Sequence, residues 1–274
     1  MGIGKQIRLN RIFAHASGRA CTLAVDHFVG YQKGLPQGLV NVPDTIAKLV
    51  QGKPDAVTMW KGMATGAWGP YAGSIPMIIS SISFTPDDAI MQQLTTPEEV
   101  VRLGGDAIAA AIGVRGPKEG EYLKMLAGIV TEAARWDLPV MTHIYPRDYS
   151  DGAKIVHDPE HIMWAVRCGI ECGADIIKVP YTGDVASYRE IVATSPVPVV
   201  AAGGPKTNTL EESLALMAGV VEAGAVGATI GRNIWGASDP LLAMHAFKAV
   251  IHTRMSPKEA IAHAESLRKA ESEL

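Results

Sequence analysis

The chain has 274 residues, is 47% hydrophobic and carries a formal net charge of -3 at pH 7. Such a chain can bury a large core, arranged as one large domain or two ordinary ones. A slightly acidic protein without a lysine or arginine run offers no basic field for nucleic acid or an anionic membrane surface, so small soluble partners are expected.

The N-terminal stretch MGIGKQIRLNRIF is charged and has no apolar run of signal-peptide length, and nowhere do about 18 apolar residues follow one another. Cys21, Cys168 and Cys172 form no disulfide framework. An odd cysteine count fits a reducing compartment, and a cytoplasmic location is expected. Cys168 and Cys172 lie four apart on a predicted helix, a spacing that reads as small-residue packing rather than a metal site.

After residues 1–20, short β-branched runs alternate with helical patterns along the chain. Eight strands are predicted: CTLAVDH at 21–27, DAVTMW at 55–60, IPMIISS at 75–81, DAIAAAIGV at 106–114, PVMTHIY at 139–145, ADIIKV at 174–179, VPVVAAG at 197–203 and VGATIG at 226–231. Asp158 followed by Pro159 reads as an N-cap and a first helical proline, opening a helix that closes near Gly173. Thr209 and Glu212 have capping-box spacing ahead of LALMAGVVEAG, with Gly224 as the stop. Eight strands with helices between them predict a closed, parallel eight-stranded (β/α)8 barrel, the TIM-barrel fold, with an open doubly wound sheet as the rival. No Pro, Gly or Ser-rich linker divides the chain. Residues 1–274 therefore read as a single barrel domain with an N-terminal extension over about 1–20 and an additional helix over about 256–268.

Strand side chains alternate between the barrel interior and the surrounding helices. In the first strand Ala24 and Asp26 share one side; in the fifth, Met141, His143 and Tyr145; in the sixth, Ala174, Ile176 and Lys178. Asp26, Tyr145 and Lys178 each fall at the carboxyl end of a strand, where such barrels keep their active sites. A strand-end lysine, tyrosine or aspartate taken alone usually meets solvent or a loop. Convergence of three makes them candidate catalytic residues, provided the strand register is right.

The seventh strand runs into AAGGPKTN and the eighth into GRN. Gly203 and Gly204 let the backbone approach a ligand and expose amide donors, and Gly231 and Arg232 stand in the next loop, with Lys206 nearby. Loops after strands seven and eight are the usual phosphate site of such barrels, supported by a short helix, so a phosphorylated substrate is expected.

Longer motifs reinforce this reading. VDH at 25–27, YPR at 145–147, DIIKVPYTGD at 175–184, VPVVAAGGPKTNT at 197–209 and GRNIW at 231–235 resemble the class I aldolases of the DeoC/FbaB family. That family includes archaeal-type fructose-bisphosphate aldolase, 2-amino-3,7-dideoxy-D-threo-hept-6-ulosonate synthase and autoinducer-2 phosphate thiolase. The resemblance extends from RLNRIF at 8–13 to AVIH at 249–252. It implies that Lys178 forms a Schiff base, that Tyr145 gives and takes a proton, and that Asp26 assists. It also implies substrate and phosphate contacts from His27, Gly203, Gly204, Gly231 and Arg232. Neither a metal nor another cofactor is expected. The expected partner is a phosphorylated carbonyl compound in carbohydrate metabolism, and a homo-oligomer, up to a decamer of two pentameric rings, is implied.

The chemistry needs this set. A neutral amine must attack a ketone, and desolvation or neighbouring positive charge lowers a lysine's pKa towards the working range. The protonated imine then withdraws electrons, so a carbon–carbon bond can break or form through an enamine. The sequence departs from the family pattern at Phe28, where glycine is frequent, and at IISSISF with Phe84, which points to an altered substrate. Arg115, Lys118 and Arg147 are candidates for a second phosphate site. The rival functions are the synthase or thiolase chemistry of the same family, a non-catalytic sugar-phosphate-binding protein, and a metal-dependent aldolase using His27 and His143, which lack recognisable ligand spacing.

Overall fold

The computed structural model describes residues 1–27, 29, 34–150 and 153–272. Phe28 lies outside the described residues. Eight parallel strands form the barrel: β1 Ala20–Ala24, β2 Ala56–Met59, β3 Met77–Ser80, β4 Ala107–Val114, β5 Val140–Asp148, β6 Ile176–Val179, β7 Val199–Ala202 and β8 Gly227–Ile230. Neighbours pair in chain order, β8 pairs with β1, and the sheet closes on itself. The expected closed barrel is therefore the observed fold, and the open sheet is not.

Both faces of every barrel strand are covered, so the strands read as continuous apolar runs. Two cores result. Outward-facing Leu23, Val57, Ile79, Ile108, Val140 and Ile177 pack under the helices. Inward-facing Ala56, Ile78, Ala109, Met141, Ile176 and Val200 fill the barrel centre with Ile12, and Leu9 and Phe13 pack against them. The helix Ile3–Ile12 thus plugs the amino-terminal end of the barrel. Higher up, the same inward rows continue into Ser80, His143 and Lys178. The alternation expected for the fifth and sixth strands is the one observed.

Most strands are shorter than the sequence predicts because hydrogen-bonded pairing stops before the apolar pattern does. β1 ends at Ala24, so Asp26 and His27 stand just beyond it. β5 instead runs three residues past Tyr145 and pairs antiparallel with Lys154–Ile155. A two-stranded hairpin, Ile82–Phe84 with Met91–Gln93, follows β3 and was not expected. The predicted helix after Asp158 is Pro159–Glu171, with Asp158 accepting from two backbone amides. Thr209 and Glu212 close the expected capping box on Leu210–Glu222. The last helix is Pro257–Ser272. Among the described residues, no helix is long and apolar enough to cross a membrane.

Three aspartates stitch the closed end of the barrel. Asp55, Asp106 and Asp175 precede β2, β4 and β6, and each accepts a backbone N–H from the strand beside it: Cys21 at 2.6 Å, Met77 at 3.0 Å and Val140 at 2.9 Å. Asp106 and Asp175 also pair with Arg11 and Lys5 of the plugging helix, both at 2.9 Å. A hydrogen bond to a charged group contributes about 1.5–3 kcal/mol, and an orphaned donor adds to the loss. Asp175→Ala should therefore cost about 3 kcal/mol in denaturant unfolding, and Lys5→Ala should cost clearly less because Val140 N–H keeps its acceptor.

Candidate active site

Lys178 is the third residue of β6, opposite His143 of β5 and Val200 of β7. Pro180 follows two residues later; it has no N–H to continue the ladder, and the strand ends at Val179. Lys178 is 5% exposed. Its side chain opens into a cavity of about 490 Å³ at the carboxyl end of the barrel. All eight candidate site residues line this one cavity: Asp26, His27, Tyr145, Lys178, Gly203, Gly204, Gly231 and Arg232. Small inward residues such as Ala111 and Ala202 leave the space open.

Burial dominates the electrostatics. Desolvation lowers the Lys178 pKa to about 8; the Asp26 carboxylate pulls the other way, and Arg232 adds to the lowering. Burial works against an ionised Asp26, but His27, Lys178, His143 and a 2.6 Å hydrogen bond from Ser80 outweigh it and hold its pKa below the usual carboxylate value. His27 is lowered to about 4, chiefly by burial, and is neutral at pH 7. His143 is lowered well below its ordinary value, again chiefly by burial, with Lys178 reinforcing it. The Tyr145 phenol is pushed upward by burial and by Asp26, so it keeps its proton.

The three glycines serve different ends. A Cβ on Gly203 would stand 2.9 Å from Ile230 Cα and 3.1 Å from Thr229 O, so Gly203 is needed where β7 meets β8. Its N–H is committed to Thr229 O at 2.9 Å, so the exposed amide donor expected at Gly203 is not free for a ligand. Gly204 has φ +76°, which turns the chain towards the cavity. A Cβ on Gly231 would come within 2.3 Å of His27 Cε1, so that glycine makes room for the imidazole. Arg232 donates to Gly204 O at 3.2 Å, tying the two loops together. The short helix after Gly231 is Arg232–Trp235.

Sequence reasoning missed four side chains here. Ser80 holds Asp26. Trp60 donates to Asp26 O at 3.0 Å. Asn233 donates to Gly203 O and Pro205 O, both at 2.9 Å, and accepts from Thr207 N–H at 3.2 Å. His143 was placed on the inward face but given no part in the leading reading; it is 3% exposed, and its Nε2 is buried with no hydrogen-bond partner among the described residues. Asn233 alone had a local signal, as the last residue of the quoted GRN.

The three cations considered for a second phosphate are all engaged. Arg115 pairs with Glu160 at 2.8 Å, Lys118 with Glu121 at 2.8 Å, and Arg147 with Asp88 at 2.5 Å. Of these, Arg147 lines the cavity. Phe84 also lines it, as the sequence suggested. Among the described residues, no group of three or more His, Cys, Asp or Glu side chains is placed to hold a metal ion.

The model of the DeoC/LacD family of aldolases matches residues 20–237. The chain belongs to that family. It is 34% identical over 254 residues to the class 1 fructose-bisphosphate aldolase of Thermoproteus tenax, covering 88% of this chain and 92% of the relative. It is 32% identical over 263 residues to the 2-amino-3,7-dideoxy-D-threo-hept-6-ulosonate synthase of Halobacterium salinarum, covering 95% and 96%. The fold matches an archaeal fructose-1,6-bisphosphate aldolase whose catalytic lysine is covalently bound to the carbinolamine intermediate of the substrate. There the TM-score is 0.79 at 32% identity, over 90% of this chain and 99% of that one.

The lowered lysine pKa has a measurable thermodynamic signature. With a folded pKa of about 8 against 10.5 for the ordinary group, the unfolded chain binds more protons between those values, and stability rises with pH across that window. Lys178→Met should remove this rise. At pH 7 the variant should be more stable than the parent by on the order of 2 kcal/mol, since each pKa unit corresponds to about 1.36 kcal/mol and part of the gain is lost when Asp26 loses its partner.

Proposed function

We propose that the protein is a Schiff-base aldolase acting on a phosphorylated ketose, with Lys178 as nucleophile. The observation that carries this is the buried Lys178 amine, lowered to about 8, in a cavity that also contains Tyr145, Asp26 and the two glycine-containing loops. The fraction of neutral amine near pH 7–8 is then large enough for attack on a ketone.

The Lys178 Nζ lone pair adds to the ketone carbon, and loss of water from the carbinolamine gives the protonated imine. Asp26, ionised and fixed by Ser80 and Trp60, moves protons in this dehydration. In cleavage, the hydroxyl on the departing carbon gives up its proton, the carbon–carbon bond breaks, and the electron pair forms an enamine while an aldehyde leaves. Protonation of the enamine and hydrolysis of the imine return the free lysine. In the synthesis direction the Tyr145 phenol, which keeps its proton, hands it to the alkoxide, and in cleavage the phenolate takes that proton back from the hydroxyl. Neutral His27 packs beside Gly231, and Arg232 with the Gly203–Gly204 turn receives the phosphate. We include in the proposal a single barrel domain, which the unbroken run of βα units supports, a homo-oligomer, which the family resemblance implies, and a cytoplasmic location, which the odd cysteine count supports.

Lys178→Ala should abolish turnover of ketose phosphates, whereas full activity in that variant would dismiss the reading. Tyr145→Phe should lower kcat by about 10²–10⁴ while still forming an imine. Imine formation followed by borohydride inactivation should rise with pH and level off above about 8, the pKa of Lys178; a rate independent of pH from 6 to 9 would count against an activated lysine.

A further inference from the structure

β3 stands four places from β7 around the eight-strand ring, and β4 four places from β8. The hairpin above β3 therefore faces the loop after β7 across the cavity, and Arg147, from the end of β5, reaches across to this hairpin. This far wall is built from Ile82, Phe84 and Pro86 of the hairpin and the Arg147 side chain, and Trp60 and Ile155 line the same cavity. Among the described residues, Arg147 is the buried cation of this wall, and it is 6% exposed and already engaged. Its Nη1 donates to Asp88 at 2.5 Å and to Pro86 O at 3.1 Å, and its guanidinium carbon lies 4.3 Å over the Phe84 ring.

Asp88 is the centre of this wall. It is 5% exposed, takes the left-handed conformation at φ +56°, and accepts from Tyr122 at 2.5 Å as well as from Tyr149. The Arg147–Asp88 pair is thus neutral as a unit. Breaking it to offer Arg147 to a phosphate would leave a buried carboxylate without its counter-ion. Asp87, beside it at the hairpin tip, is exposed, and its hydrogen bond from Thr85 keeps its pKa low, adding a second negative charge to the same turn. Lys154 also lines the cavity, exposed on the short strand at its rim.

We infer that the acceptor end of the cavity takes an uncharged, apolar aldehyde, so that the preferred ketose carries one phosphate and not two. This rests on the Schiff-base reading. In synthesis, the enamine carbon bonds to the aldehyde carbon, the carbonyl π pair moves to oxygen, and that oxygen takes the Tyr145 proton. Water then hydrolyses the imine and returns the lysine amine.

The test is aldol synthesis with dihydroxyacetone phosphate as donor and either glyceraldehyde 3-phosphate or the uncharged aldehydes hexanal and phenylacetaldehyde as acceptors. Apolar acceptors should give a kcat/KM at least ten-fold higher. Asp88→Asn, which removes the counter-charge but keeps the shape, should shift the preference at least ten-fold towards glyceraldehyde 3-phosphate. Borohydride trapping of the donor at Lys178 reports whether that variant is folded, and if it is not, the parent comparison decides alone. Preference of the parent enzyme for the phosphorylated acceptor, or use of neither acceptor while the donor is trapped, would overturn the inference. Failure to trap dihydroxyacetone phosphate at Lys178 in the parent would overturn the Schiff-base reading itself.

Discussion

The site depends on keeping one amine out of water. Lys178 sits near the end of the β6 strand, two residues before Pro180, and its lowered pKa comes first from burial rather than from a neighbouring cation. Desolvation of this kind requires the whole barrel. The inward rows of alanine, isoleucine and methionine and the helix plugging the opposite end exclude water from below. Asp55, Asp106 and Asp175 keep adjacent strands in register, which decides whether position 178 points inward at all. Asp26 is the counterweight: it favours the ammonium and so stops the pKa from falling further.

Around that amine the cavity is chemically divided. One side is made of turns: the Gly203–Gly204 loop and the Gly231–Arg232 loop, locked together by Asn233 and by the bond from Arg232 to Gly204 O. The other side is made of side chains packed on a hairpin, where the buried Arg147 is already neutralised by Asp88. A phosphate is suited to the first and not to the second. This asymmetry distinguishes the substrate question from the chemistry question, since the reacting groups lie between the two walls.

Much of this was legible in the sequence. Period-two alternation put Lys178 and Tyr145 on the inward face because parallel barrel strands are covered on both sides and cannot slip without burying the wrong residues. Asp26 was placed correctly although it lies beyond the end of β1, since the extended chain keeps its alternation past the last ladder bond. The hairpin was not legible: its strands are three residues each, too short for a pattern, and TPDDAI between them reads as plain loop. Nor could Asp88 be foreseen, because its donors come from positions 122, 147 and 149 and meet only in the fold. Ser80 and Trp60 share that difficulty. Arg147 shows the limit most clearly, since a sequence supplies a charge but not the partner that cancels it.

The measurement that bears most directly on the central claim is peptide-level mass spectrometry of the enzyme reduced with borohydride in the presence of dihydroxyacetone phosphate. The account predicts one adduct per chain, on the peptide containing Lys178, with the mass of the reduced imine. An adduct on a surface lysine such as Lys154, or an unmodified Lys178 in an enzyme that turns over, would contradict it.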